Sequence, residues 1–281
     1  MTNSISIAPS KNRLVELITD SLTSRVVQLA GEFSSSKDVV GVRYVAIDHL
    51  LPDNIAKYIA SAFPSGDSMR LMKSFREQKF TSKAYEQFDP VLSDITFAFQ
   101  EPSIVSLIEE ITGIKGQVPD SLLYAGGLSA MGKGHFLSPH VDNSHDSTLS
   151  HYRTLNLLYY VTPDWNQENG GNLQIWNKDV SRNCTIHSKF NRLVIMETTP
   201  NSWHSVSRVR VDLIRKCVSN YYFSRQSPTG TDYFNVTTFS APPDRPFLRI
   251  LCKLDACVRQ FVRMLRPKGV GQVDVYTGPP R

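Results

Sequence analysis

Beyond about residue 117 the chain changes texture. The stretches "DSLLYAGGLSA", "TLNLLYYVT", "GNLQIWN", "RLVIMET", "HSVSRVRV" and "KCVSNYYFS" are short, rich in β-branched and aromatic residues, and separated by polar turns. A succession of short strands at this spacing points to a β-sandwich or a barrel. No fixed repeat period appears among them. The preceding part reads differently. Residues 11–33 carry Leu14, Leu17, Ile18, Leu22, Val26, Val27 and Leu29 at roughly helical spacing. "GVRYVAIDHL" is a short strand, and "LPDNIAKYIASAF" a helix with Pro52 near its first turn. Residues 66–88 are polar and charged and are expected to be loop. "DPVLSDITFAF" opens with Asp89 as N-cap and Pro90 at the first helical position. "EPSIVSLIEEITG" repeats the device with Pro102 and closes on Gly113.

After the β region, residues 225–244 are polar with paired prolines, which suggests a loop or arm. In "PFLRILCKLDACVRQFVRMLRP", residues Phe247, Ile250, Leu251, Leu254, Val258, Phe261, Val262 and Leu265 fall on one helical face. The expected organisation is a helix-rich region over 1–116, a β core over 117–224, and an arm with an amphipathic helix over 225–281, all in one integrated domain. The leader "MTNSISIAPSKNR" has no apolar segment of the kind a signal peptide needs and reads as mobile. The tail from Pro267 reads as loosely held. No apolar run approaches a membrane span.

Composition narrows the chemistry only modestly. A chain of 281 residues, 41% hydrophobic, suits one large domain with additions or two small ones. Net charge is +5, an excess that serves solubility more often than recognition of nucleic acid or anionic lipid, and no nucleic-acid partner is expected. Cys184, Cys217, Cys252 and Cys257 lack framework spacing, which implies reduced thiols and a cytoplasmic setting. Cys184 and His187 form a C-x-x-H with no second half. Gly170-Gly171 lacks any phosphate-loop pattern and reads as a tight turn.

The stretch "SPHVDNSHD" carries the chemistry. On an extended chain His140 and Asp142 leave the same face. An imidazole beside a carboxylate is two-thirds of a facial triad, the 2-His-1-carboxylate set that holds ferrous iron with open positions. His204 in "NSWHSVSRV" is the candidate third ligand, starting a strand after a turn-like "TTPNS". Arg215 stands in an otherwise apolar, aromatic strand, where it is either a strand-edge charge or a two-point grip on a carboxylate. His145 would give H-x-D-x-x-H, but sits on the wrong face of a strand. His145, Asp146 and His151 fit better at a lip above the site. His135 alternates away from the ligands and reads as structural.

In order along the chain come "GKGHFLSPHVDN", "YRTLNLLYYVTPDWNQENGGNLQIW", "RLVIMETTPNSWHSV" and "RKCVSNYYFS". Together they resemble the Fe(II)/2-oxoglutarate-dependent dioxygenases, the prolyl-4-hydroxylase-like branch being nearest, over about residues 118–224. The resemblance implies a mainly β fold with flanking helices, its core a double-stranded β-helix of the jelly-roll, cupin-like kind. It implies Fe(II) on His140, Asp142 and His204, 2-oxoglutarate held at its far carboxylate by Arg215, O2 as oxidant, and ascorbate as a stimulant. Hydroxylation of an unactivated C–H bond with release of succinate and CO2 would follow. The chain departs from the pattern at Met131, where relatives often have tyrosine, and at Cys217, where they often have serine. Asn156 and Tyr159 are the candidate replacement donors to 2-oxoglutarate. Expected substrates are a prolyl or other protein side chain, a small molecule, or a lipid-linked sugar such as the Kdo of lipopolysaccharide. The last would go with contact between the C-terminal helix and the inner membrane surface, through Arg249, Lys253, Arg259, Arg263 and Arg266, although a helix packed on the barrel with its basic face in solvent is the simpler reading. From other classes, a non-catalytic sugar- or partner-binding β-sandwich and a zinc hydrolase stay open.

Overall fold

The computed structural model describes residues 8–265 and 275–279. The start of the leader and most of the tail lie outside these residues. The helical pattern over 11–33 resolves into two helices, α1 (Lys11–Thr23) and α2 (Val26–Ser35). The break falls at Arg25, whose backbone is non-helical and whose Nε donates to the carbonyl of Ser21 at 2.9 Å, capping α1. Leu14, Ile18 and Leu22 of α1 and Leu29 and Phe33 of α2 are buried. A short α3 (Lys37–Val40) ends on Gly41 in the left-handed region and leads into β1 (Tyr44–Asp48). Next come α4 (Asp53–Ala62), then β2 (Arg70–Lys73) and β3 (Glu77–Ser82). The last two correct the loop expected over 66–88. They form an antiparallel hairpin, and β3 is also paired with core strands on its other side. Their polarity hid them, because one face lines a charged cavity instead of the core.

Two helices follow as expected. In α5 (Pro90–Ala98) the Asp89 side chain accepts from the Val91 N–H at 2.9 Å, and α6 (Pro102–Thr112) closes on Gly113 at φ 69°. The core strands are β4 (Val118–Pro119), β5 (Gly127–Met131), β6 (Phe136–Val141), β7 (Tyr152–Tyr160), β8 (Leu173–Trp176), β9 (Asn183–Ile186), β10 (Arg192–Glu197), β11 (His204–Val206) and β12 (Arg215–Ser224). The two-residue β13 (Thr238–Phe239) precedes α7 (Pro246–Leu265).

All pairings are antiparallel, in the order β1-β10-β7-β12-β5-β3-β6-β11-β8-β9. This large sheet rolls into a nearly closed barrel flanked by helices, the jelly-roll class expected from the motifs. Strand alternation divides the two faces. On β7, Leu155, Leu157 and Tyr159 point into a core shared with α1, α2, α5 and α6. Asn156 and Leu158 point into the barrel, and Tyr160 packs there with Leu173 and Ile175 of β8 and Cys217 of β12.

Two C-terminal features differ from expectation. The arm over 225–244 is not free: β13 pairs with β6, setting Phe239 opposite His140. Helix α7 is turned the other way from a helix packed by its apolar side. Phe247 is 72% exposed, Leu254 59% and Phe261 63%, with Ile250, Leu251 and Val258 beside them. Its polar side meets the protein. Arg249 donates to the carbonyls of Ala241 and Val180, Asp255 pairs with Arg76 at 2.6 Å, and Cys252 is buried. These ion pairs and hydrogen bonds decide the orientation, and an apolar moment alone cannot reveal them. Part of the tail is held as well: Tyr276 packs on Tyr85 and Phe97 and its N–H donates to the carbonyl of Leu122 at 2.7 Å. Among the described residues no single helix is long and apolar enough to cross a membrane.

Candidate metal and co-substrate site

His140 lies near the end of β6 and His204 opens β11, and the two are cross-strand partners. Direct opposition brings their rings to 4.1 Å between centroids. Asp142, two residues after His140, keeps the same facing. One ligand atom from each of the three lies within 4.8 Å of the others, and all three residues are buried. Nε2 of His140 is 3.5 Å from Asp142 Oδ1, and Nε2 of His204 is 3.6 Å from Oδ2. Each histidine has its Nδ1 on a backbone carbonyl two residues earlier, Ser138 for His140 at 3.0 Å and Ser202 for His204 at 2.9 Å. A carbonyl can only accept, so Nδ1 carries the proton and the Nε2 lone pair faces the cluster. Burial, with His140 beside it, holds the His204 imidazole down to about 4 against the opposing pull of Asp142, so it is neutral at pH 7. Two neutral imidazoles and a carboxylate are the donor set of a ferrous facial triad.

Asp142 is oriented from behind. Its Oδ2 accepts from Asn156 Nδ2 at 3.0 Å and lies 3.4 Å from Arg153 Nη1. Thr198 Oγ1 donates to Asn156 Oδ1 at 3.2 Å, fixing the amide. Burial pushes the Asp142 carboxyl up, but Arg153, His204 and His140 together hold it well below the usual carboxylate range. Asn156 is therefore a partner of the metal-facing carboxylate. Arg153 is only 1% exposed, stacks over Tyr221 at 4.4 Å and donates to Asn143 Oδ1 at 2.8 Å. The sequence reading did not single it out, although it stands in "YRTLN" two positions into β7, inward-facing by the same parity as Asn156 once the bulge against β12 is counted.

Arg215 opens β12 opposite Met131 and is 4% exposed. No carboxylate meets it: Nε and Nη1 are buried without an acceptor among the described residues. A guanidinium in that state implies an anion from outside, since an uncompensated buried charge is costly. Its surroundings are shaped for it. The Tyr160 ring lies 5.1 Å away, and a Cβ on Gly171 would come within 3.0 Å of Arg215 Cδ. The glycine pair thus turns the chain, at φ 74° and 66°, and clears room for the arginine.

The structure also corrects one expected residue. Tyr159 faces the helix-covered core, where its hydroxyl donates to Asn191 Oδ1 at 2.9 Å. It is one residue out of phase with the cavity, and Tyr160 has the inward parity. Met131 packs with Trp165 and Val209 and offers no donor. His145 stands apart from the metal-facing cluster with Nδ1 on Ser144 Oγ at 2.7 Å, and lines a side cavity of about 180 Å³. His151 pairs with Asp146 at 2.9 Å, and His187 Nε2 contacts the carbonyl of Trp165, so the Cys184 pattern gathers no cluster among the described residues. Buried His135 packs on Phe80 at 4.9 Å, as a structural residue would.

His140, Asp142, His204, Asn156, Arg153 and Arg215 line a single cavity of about 430 Å³. Residues 126–224 match the family described as the 2OG-Fe(II) oxygenase superfamily, a span that contains all of them. Residues 126–224 are thus similar to a 2OG-Fe(II) oxygenase core. Its fold is shared with a prolyl 4-hydroxylase of Phytophthora capsici, at 13% identity over 94% of this chain and 81% of that one, with a TM-score of 0.51. A prolyl hydroxylase of Trichoplax adhaerens, in complex with a peptide fragment of hypoxia inducible factor, aligns at 16% identity over 72% and 92% (TM-score 0.48). HygX of Streptomyces hygroscopicus, with nickel, 2-oxoglutarate and hygromycin B bound, aligns at 11% over 87% and 97% (TM-score 0.47). No curated protein matches the sequence. The oxygenase core uses Fe(II) and 2-oxoglutarate, and the donor set and the orphaned Arg215 both fit them.

Proposed function

We propose that this oxygenase hydroxylates an unactivated C–H bond of a substrate admitted to the 430 Å³ cavity. Fe(II) would be held by His140 Nε2, His204 Nε2 and the Asp142 carboxylate, and the far carboxylate of 2-oxoglutarate by Arg215. Bound there, the metal and co-substrate supply oxygen activation: O2 and 2-oxoglutarate are consumed, C–H becomes C–OH, and succinate and CO2 leave. The residues do the rest. The backbone carbonyls of Ser138 and Ser202 fix both imidazoles in the metal-binding tautomer. Asn156 and Arg153 hold the Asp142 carboxylate ionised and in one rotamer. Phe239, stacked on His140 at 5.4 Å, covers one side of the cluster and limits water. Asn156 supports Asp142 through one of its two Nδ2 hydrogens and lines the cavity, which leaves the second for donation to the co-substrate.

The observation that carries this reading is the convergence of a neutral-imidazole pair and a carboxylate with an unpaired buried guanidinium in one cavity. The test is spectroscopic and then chemical. Anaerobic Fe(II) with 2-oxoglutarate should give a visible charge-transfer band. Admission of oxygen with substrate should give succinate and a product containing one oxygen atom from labelled dioxygen. A product without the label would rule out hydroxylation while leaving the oxygenase core intact. Peptides, small molecules and lipid-linked sugars, Kdo among them, are the substrate classes to screen.

A further inference from the structure

The cavity wall facing the metal cluster is cationic beyond what the co-substrate requires. Arg76, Lys79, Lys83, Arg153, Arg215 and Arg259 line it, against the carboxylates of Glu77 and Asp142. A ferrous ion and a 2-oxoglutarate dianion cancel, so they leave this excess standing. Four of these six cations have an assignment: Arg153 lies against Asp142, Lys79 pairs with Glu77 at 3.1 Å, Lys83 Nζ donates to the carbonyl of Tyr124 at 3.4 Å, and Arg215 awaits the co-substrate. Arg76 and Arg259 differ. They come from the turn before β3 and from α7, and both rest on the same oxygen of one carboxylate, Asp255, at 2.6 and 2.9 Å. Two guanidiniums on one acid leave a full positive charge, and Arg76 Nε is buried without an acceptor among the described residues. Burial depresses the Arg259 guanidinium below the usual arginine range, Asp255 pulls it back, and Arg76 depresses it further. Both guanidiniums lie over Phe239, at 5.1 and 5.5 Å, and the same ring stacks on His140. The pair therefore sits one aromatic ring away from the metal cluster.

We propose that the substrate carries an oxyanion, whether carboxylate, phosphate or sulfate, that seats on the Arg76–Arg259 pair while its reacting carbon faces His140, Asp142 and His204. This rests on the oxygenase reading for the second half of that statement and on the arginine geometry for the first. A fork of two guanidiniums matches an oxyanion through paired N–H donors. The Phe239 ring supplies an apolar shelf between the anionic end and the carbon to be oxidised. The site also gives α7 a role: the helix docks by its polar side because that side completes the cavity.

The test titrates inorganic phosphate calorimetrically into the full chain under anaerobic Fe(II) and 2-oxoglutarate, with the charge-transfer band followed in parallel. One phosphate should bind without loss of the band. Its affinity should fall about tenfold or more in Arg76→Gln and in Arg259→Gln, and by less in Arg259→Lys, which keeps the charge. Circular dichroism identical to that of the unsubstituted protein checks folding. In the succinate assay, compounds paired to differ only by an acidic group should divide, with the anionic member alone stimulating turnover and the two glutamine variants raising its KM. Phosphate that fails to bind, phosphate that binds both variants as tightly, or neutral compounds that stimulate as well as anionic ones would each overturn the proposal. If the charge-transfer band never forms, it is the oxygenase reading that falls, and the phosphate titration still decides the arginine pair.

Discussion

At the scale of single residues, roles follow from which hydrogen bonds are made and which are left open. Among the described residues Asp142 alone supplies an anion to the cluster, so Asp142→Ala should abolish succinate formation and Fe(II) retention, read by coupled assay and metal analysis. Among the described residues Arg215 makes no ion pair. Arg215→Ala should leave Fe(II) binding in place and raise the 2-oxoglutarate requirement on the order of a hundredfold, as loss of one partner of a buried charge pair does. Unchanged half-saturation would remove Arg215 from the co-substrate site. Tyr159 provides the contrast. Its hydroxyl bonds Asn191 in the helix-covered core, so Tyr159→Phe should cost about 1 kcal/mol of stability in a urea melt and leave the 2-oxoglutarate dissociation constant unaltered.

At the scale of elements, β7 and α7 carry opposite lessons about pattern. On β7 a period of two assigns the residues from Leu155 to Tyr160, beyond the bulge, to a face, and the interior neighbour of Arg215 is Tyr160 because of it. Leu157, on the helix-facing side and fully buried, should cost about 3 kcal/mol when cut to alanine. On α7 the apolar stripe is real but faces away from the protein. Leu254→Lys should accordingly change the unfolding free energy by no more than about 0.5 kcal/mol, the ordinary range for an exposed position. A loss of several times that would mean Leu254 is covered. The β2–β3 hairpin escaped detection for a related reason: its Arg76, Glu77 and Lys79 serve a cavity, so the strand shows no apolar alternation.

At the scale of the whole molecule, acid should weaken the metal-free protein over a defined range. The His204 imidazole titrates at about 4 in the fold and at 6.5 when unperturbed, so the unfolded chain takes up a proton first as pH falls. Stability contributed by the neutral form is full above 6.5 and drains away down to about 4. Asp48 adds a second loss lower down. Burial pushes its carboxyl up, but hydrogen bonds from Arg192 and Lys189 outweigh this and hold it at about 2, against 3.8 unperturbed. Its contribution is present above 3.8 and disappears as pH approaches 2, loosening β1 from β10. Thermal melts across this range should show Tm falling from pH 6.5 downward, with a shallower fall between 6.5 and 4 in His204→Asn. A flat profile in the unsubstituted protein would contradict the burial of that imidazole.

What the sequence by itself determined is whatever local chemistry encodes. The capped helices at Asp89 and Gly113, the strand-rich core, and the candidate trio of His140, Asp142 and His204 announced by H-x-D and a distant histidine all belong here, because capping, alternation and motif spacing act over a few residues. Tertiary structure decided the rest. It set the phase that excludes Tyr159, the buried Arg153 behind Asp142, the strand hidden in a charged stretch, and the inverted seating of α7. Each of these depends on a partner far along the chain, and an ion pair between residues 76 and 255 leaves no trace in either neighbourhood.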